Sequence, residues 1–216
     1  MRRAYDLVIF DCDGVIVDSE VIANRVFRQF LAELGLEFTE QQVYERFLGR
    51  ALADSLVIIE DLLGRPVPQA SLQRYKRKRD ETLRNEVRAV EGVAEVIRAL
   101  TVPFCVASSG DHDKMRATLG ATGLLSLFDG RIYSAVDVAR AKPAPDVFLH
   151  AAEAMHTDPS RTAVIEDTVS GVTAARAAGM TVYGYASLTS AEKLTEAGAH
   201  MTFAHMRELE DLLGLH

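Results

Sequence analysis

Residues 7–10 read Leu-Val-Ile-Phe, an apolar run without alternation, and the chain turns acidic at once with Asp11, Cys12, Asp13 and Gly14. A strand that is apolar at every position is covered on both faces, as in the parallel sheets of doubly wound α/β proteins. The same kind of run recurs at 104–107, 162–165 and 181–185. Amphipathic helical stretches stand between them at 93–100, 113–122, 146–155 and 170–178. Strands alternating with helices predict βαβ units and a parallel sheet.

One region breaks the rhythm. Residues 21–88 hold no strand-like run but four helical stretches, at 21–35, 39–49, 51–64 and 70–87, with Gly35, Gly49 and Gly64 where helices should stop. The pattern predicts a helical bundle inserted after the first strand. The division is then a core of 1–17 and 89–216, and a helical unit of 18–88 placed to cover a ligand site at the strand ends. The basic run Arg74-Tyr-Lys-Arg-Lys-Arg-Asp-Glu81 is expected as a solvated helix face.

Composition narrows the partners. The 216 residues include 31 acidic and 24 basic ones, a formal charge of -7, which opposes a general nucleic-acid or anionic-membrane binder. A small anionic ligand remains compatible, because a local site can oppose the global sign. There is no signal-peptide pattern and no apolar run long enough to span a bilayer, so a cytoplasmic protein without a membrane partner is expected. Cys12 and Cys105 sit inside apolar runs and match neither a disulfide framework nor a zinc spacing. They read as small buried hydrophobes.

In open α/β sheets ligands bind at the carboxyl ends of the strands. Here those ends carry Asp11 and Asp13, then Ser108 and Ser109, then Lys142 before Pro143, then Glu166 and Asp167. Several carboxylates in one crevice repel unless a cation sits among them. Hard oxygen ligands suit Mg²⁺, and Mn²⁺ accepts the same donors. Asp11 and Asp13, two apart as they leave a strand, can serve one site. Lys142 supplies compact positive charge. Ser108 and the amides after it are expected to open a helix where phosphate oxygens bind. The set describes phosphoryl transfer with a carboxylate nucleophile.

The motif DCDGVIVDSE resembles the first motif, DxDG(V/T), of the haloacid dehalogenase-like phosphatases. VASSG is similar to their second motif, AKPAP to the lysine of the third, and VIEDTVSGVTAARAAGM to the acidic pair of the fourth, in the helical-cap subgroup that includes sugar-phosphate phosphatases, some acting on 6-phosphogluconate, and beta-phosphoglucomutases. The resemblance implies a Rossmann-like doubly wound core, an inserted α-helical cap and Mg²⁺-dependent hydrolysis of small phosphate esters such as sugar phosphates or phosphorylated sugar acids. Carried over, Asp11 is the nucleophile and Asp13 the acid and base at the leaving oxygen. Asp11, the Asp13 carbonyl, Glu166 and Asp167 form the metal site, with Glu166 binding directly or through water. Ser108, Ser109 and Lys142 hold the phosphoryl group. FLGR resembles the substrate-facing loop of the cap, which makes Arg50 a specificity candidate, and Glu20 is placed to face the substrate.

A phosphosugar mutase is the chief alternative. Its hinge histidine would fall near Ala23, where this chain has none. A dehalogenase would not need Asp13, since a halide leaves without a proton, and a binding module would not need a nucleophile. The expected partner is a small phosphorylated metabolite, and the expected state a monomer or weak homodimer.

Overall fold

The computed structural model describes residues 5–214. Six parallel strands form one sheet in the order β3-β2-β1-β4-β5-β6. They are β1 (Leu7–Phe10), β2 (Phe104–Ser108), β3 (Ile132–Ser134), β4 (Thr162–Glu166), β5 (Thr181–Tyr185) and β6 (Met201–Phe203). Side chains of β1 alternate between two apolar layers. Val8 and Phe10 pack with α5 (Val93–Ala99), α6 (His112–Ala121) and α10 (Glu208–Leu213). Leu7 and Ile9 pack with α7 (Asp146–Ala154), α8 (Val169–Ala177) and α9 (Ala191–Glu196). This two-sided cover is why β1 is apolar throughout. The doubly wound parallel sheet is the expected fold, but β3 and β6 are additions to it. Both are sheet-edge strands of three residues, too short and too exposed to show an apolar run.

Between β1 and β2 lie α1 (Glu20–Glu33), α2 (Glu40–Phe47), α3 (Leu52–Leu63) and α4 (Gln69–Glu86). They enclose their own apolar cluster, built on Val26, Phe27, Phe30, Leu31, Val43, Phe47, Ile59 and Tyr75. Phe30 and Tyr75 stack there with ring centroids 4.6 Å apart. Thr39 and Gln42 close a capping box at the start of α2. The chain enters and leaves this bundle through one paired strip. The Asp18 amide donates to the Arg88 carbonyl at 2.9 Å, and the Val90 amide donates to Ile16 at 3.0 Å. We take this strip as the boundary between core and helical unit. Asp18 itself is exposed, and its contribution there is through the backbone.

The basic run of α4 departs from expectation. Arg79 is buried at 4% exposure, because it turns inward between Asp80 and Asp111. Tyr75 is also buried. Among the described residues no helix is long and apolar enough to cross a membrane.

Because the helical unit has a separate core, damage to it should be local. Leu31→Ala is expected to cost about 2–5 kcal/mol in chemical denaturation. Amide exchange should accelerate across α1–α4 before it does in β1 and β4, as hydrogen-exchange mass spectrometry would show.

Candidate active site

The strand order reverses between β1 and β4, which both run parallel from the middle of the sheet. Such a switch point opens a crevice at the carboxyl ends. Phe10 pairs with Ile165 in register, and the Asp11 amide donates to the Ile165 carbonyl at 2.9 Å. Asp11 therefore leaves β1 beside Glu166 at the end of β4. Lys142 closes the arrangement from the loop before α7, where the Lys142–Pro143 bond is cis. Its Nζ donates to Asp11 Oδ1 at 2.7 Å, to Glu166 Oε1 at 2.8 Å and to the Ala107 carbonyl at 3.3 Å. Those three bonds use all three ammonium protons. Burial pushes the Asp11 carboxyl up to about 7 against the pull of Lys142, and the two carboxylates hold Lys142 above its ordinary value although burial opposes it.

Asp167 has no such cation. It is 1% exposed, and neither carboxylate oxygen has a hydrogen-bond partner. Burial, then repulsion from Glu166 and Asp11, raises it well above the usual carboxylate range. Ligand oxygens of Asp11, Glu166 and Asp167 lie within 4.8 Å of one another. Three carboxylates against one ammonium leave a formal excess of two negative charges, so a hard divalent cation with oxygen ligands fits the donor set. Asp167 and Asp11 are open to such an ion. Glu166 is more engaged: Oε1 accepts from Lys142, and Oε2 accepts from the Thr168 amide at 2.8 Å and its hydroxyl at 2.9 Å.

Two glycines make room for these carboxylates. Gly14 has φ +76°, and a Cβ there would overlap the Asp167 carboxylate. The tight turn after β1 thus needs glycine twice, for conformation and for space. Gly171, in the first turn of α8, has an ordinary φ, yet a Cβ would overlap Glu166.

The Asp13 carboxyl stands apart from the cluster of Asp11, Glu166 and Asp167. Ser19 Oγ donates to its Oδ1 at 2.5 Å, and Lys114 Nζ pairs with its Oδ2 at 2.8 Å. Burial opposes ionisation, but Lys114, Ser19 and Arg79 together bring the carboxyl below its usual value. Lys114 was not singled out in the sequence. Its signal was a lysine in the first turn of the helix after β2, against the helix dipole, which favours acids there. The expected helix start at Ser108 is corrected: α6 begins at His112, and Asp111 is its N-cap, accepting from the Lys114 amide at 2.8 Å. Ser108 ends β2, and its Oγ accepts from the Gly110 amide at 3.0 Å, which leaves the hydroxyl proton to donate elsewhere.

A cavity of about 510 Å³ lies over these groups, with Asp11, Asp13, Ser108, Ser109, Lys142 and Glu166 on its core side. Asp167 is behind that wall. Glu20, Arg50, Tyr75 and Arg79 line it from the helical side. Burial and the charge of Asp13 push Glu20 up to about 7. Arg50 is exposed, and its Nε donates to the Arg46 carbonyl at 2.9 Å. Ser109 donates to the Gly49 carbonyl at 3.3 Å, as does Ser170, so this segment of the helical unit is held to the loop after β2 and to the first turn of α8. Arg79 Nη2 bonds both Asp111 oxygens, at 3.3 and 3.1 Å, which ties α4 to the start of α6. His112 turns away from the cavity to Asp137 at 2.9 Å.

A family model described as haloacid dehalogenase-like hydrolase matches residues 5–179. The chain is 30% identical over 208 residues to 6-phosphogluconate phosphatase of Escherichia coli, covering 96% of this chain and 94% of that one. Among solved structures, a conserved haloacid dehalogenase-like protein from Agrobacterium tumefaciens is 36% identical with a TM-score of 0.80, covering 97% of this chain and 98% of the other. A haloacid dehalogenase family hydrolase from Deinococcus radiodurans, solved with phosphate and sodium, is 32% identical with a TM-score of 0.76, covering 99% and 98%.

The glycine cradle predicts opposite signs for two similar changes. Gly120→Ala in α6 meets only Leu125 at 3.9 Å, an ordinary contact, and should stabilise by up to about 1 kcal/mol through helix propensity. Gly171→Ala should destabilise despite the same propensity, because Glu166 must move. Thermal denaturation of the two variants measures both.

Proposed function

The chain belongs to the haloacid dehalogenase-like hydrolases, and on that premise we propose that it is a Mg²⁺-dependent phosphatase of small phosphate monoesters, sugar phosphates or phosphorylated sugar acids, acting through an aspartyl-phosphate on Asp11. The observation that carries this reading is the placement of Asp11 at the β1/β4 switch point, between Lys142 and the cluster with Glu166 and Asp167. A nucleophile, a screening cation and a metal-compatible donor set meet at one carboxylate.

In the first step an Asp11 carboxylate oxygen attacks phosphorus in line, and the bond to the leaving oxygen breaks. Asp13, charged in the free protein, takes up a proton as the ester binds and passes it to that oxygen, so an alcohol departs. In the second step water attacks the phosphorus, Asp13 takes the water proton, and the bond to Asp11 breaks to release phosphate. Ser19 and Lys114, on the two Asp13 oxygens, hold the carboxyl in place for both transfers. Ser108, with its hydroxyl proton left to donate, binds an oxygen of the phosphoryl group, and Lys142 reaches another by giving up its long bond to the Ala107 carbonyl. Asp11, Asp167 and the Asp13 carbonyl would hold Mg²⁺, with Glu166 orienting Lys142 or reaching the ion through water; the ion when bound neutralises developing charge on the phosphoryl oxygens. The cap covers the cavity and limits it to small metabolites. At Ala23, where a mutase histidine would stand, the cavity wall is a methyl group, which favours hydrolysis over return of the phosphoryl group.

Asp11→Asn should lower phosphate release from any ester by roughly 10⁴-fold or more, as removal of a covalent nucleophile does. Asp13→Asn should cost roughly 10²–10⁴-fold on alkyl phosphates and far less on p-nitrophenyl phosphate, whose leaving group needs no proton. Steady-state kinetics on both ester types decide the two roles, and retained activity in the Asp11 variant would remove the covalent mechanism.

Metal dependence has a readout apart from turnover. At Mg²⁺ about 100 times its dissociation constant, the wild type should gain about 2.7 kcal/mol and melt several degrees higher. Asp167→Asn should raise the melting temperature of the metal-free protein, by removing an unpaired buried carboxylate, and lose the Mg²⁺ increment. An increment that survives would place the ion elsewhere.

A further inference from the structure

Lys114 stands in the first turn of α6 and lines the cavity over Asp11. Its Nζ pairs with Asp13 Oδ2 at 2.8 Å, and among the described residues no other carboxylate lies within ion-pair distance of it. Burial opposes the charge, but Asp13 and Glu20 hold Lys114 above its ordinary value, so it is an ammonium with three protons. One proton serves Asp13, and two are left. The side chain is not sealed: it is 14% exposed, beside an Asp13 carboxyl that is 12% exposed. A carbon at the Cβ position of Gly110 would lie 3.4 Å from Asp13 Oδ2, 3.4 Å from Ser108 Oγ and 3.5 Å from Lys114 Cδ. Because residue 110 is glycine, no side chain separates the acid, the phosphoryl-binding hydroxyl and the lysine chain, and all four residues line the same cavity.

The leaving oxygen of an ester must come within hydrogen-bond distance of the Asp13 carboxyl to receive a proton from it. Ser19 holds Oδ1, and Oδ2 is the oxygen on the side of Ser108 and the phosphoryl site. Lys114 Nζ is bonded to that same Oδ2, so the leaving oxygen and the ammonium are neighbours across one atom. A second oxygen on the next carbon of the leaving group, gauche to the ester oxygen, then meets the protons that Lys114 has to spare. We propose that Lys114 is a specificity-determining residue that donates to this second oxygen, so that the preferred substrates carry a hydroxyl or a carboxylate on the carbon adjacent to the phosphorylated one. This rests on the phosphatase reading above, and it gives Lys114 a contact with substrate besides its hold on Asp13. A site built to hydrogen-bond a substrate group discriminates against the analogue that lacks it.

The test uses the full-length protein with Mg²⁺, the variants Lys114→Met and Lys114→Gln, and esters that differ at the adjacent carbon. Glycerol 1-phosphate and 6-phosphogluconate carry a hydroxyl there, phosphoglycolate a carboxylate, and propyl phosphate neither. All four leaving groups need a proton, so a disturbed Asp13 lowers kcat on all of them alike and cancels in a ratio. In the wild type, kcat/KM for the best oxygen-bearing ester should exceed that for propyl phosphate by roughly tenfold or more, as one hydrogen bond to a charged donor predicts. Lys114→Met should abolish this preference, mainly through KM. Lys114→Gln keeps an N–H for Asp13 without the charge, so its ratio should fall between the two, which keeps the proposal testable if the Met variant does not fold. Whether the hydroxyl esters or phosphoglycolate show the preference identifies the oxygen that Lys114 meets, and either supports the proposal. A ratio that stays at the wild-type value in both variants, however far the rates fall, means that Lys114 acts only through Asp13 and overturns it. A wild type that hydrolyses p-nitrophenyl phosphate but shows no preference over propyl phosphate also overturns it and leaves the phosphatase reading intact, whereas a wild type inactive on every ester overturns both.

Discussion

The ammonium of Lys142 sits between Asp11 and Glu166 at 2.7 and 2.8 Å, and much of the molecule is arranged around the cost of burying these charges. Ions taken out of water are tolerable only when paired and hydrogen-bonded. The parallel register of β1 and β4 brings the two carboxylates side by side, and the loop before α7 delivers the single cation. Thr168 satisfies the far oxygen of Glu166 with amide and hydroxyl together. Gly14 and Gly171 yield the volume that Asp167 and Glu166 occupy. What this framework leaves unmet is Asp167, and its two bare oxygens define where further positive charge must come from.

Asp13 is governed by different neighbours although it is only two residues from Asp11. Its partners Ser19 and Lys114 come from the segment leading into α1 and from the first turn of α6. Ser19 follows directly on the strip where 16–18 pair with 88–90, so the acid is anchored next to the point where the chain departs for the helical unit. The same unit is fastened back to the core at Gly49, through Ser109 and Ser170, and at Asp111, through Arg79. The position of the helical unit and the surroundings of the Asp13 carboxyl are thereby linked. Asp11, Ser108 and Lys142 stand instead at strand ends and on the loop before α7.

Much of this was legible because periodicity and strand-end chemistry point the same way. Unalternated apolar runs specify a two-sided sheet, and the polar residues just past them mark its crevice, so Asp11, Ser108, Lys142 and Glu166 could be named before any geometry. Edge strands β3 and β6 were not legible, since three half-covered residues carry no burial pattern. Lys114 and Arg79 were missed for another reason. Their roles depend on which residue lies opposite across the fold, and a sequence displays charge and helix face without displaying partners. Arg79 reads as one of many basic residues on α4, yet it alone among them lies buried against Asp111.

These long-range pairings also set how charge is distributed around the cavity. The cavity is divided by sign. On the β1/β4 side stand Asp11, Glu166 and Asp167, which suit a metal ion. On the α4/α6 side stand Lys76, Arg79 and Lys114, of which the last two are already neutralised by Asp111 and Asp13. Between them, Lys142 is the ammonium that pairs with both Asp11 and Glu166. Burial and mutual repulsion raise Asp11 and Asp167, so without a cation these carboxyls favour the protonated form, and a divalent ion would compete with those protons for the same oxygens.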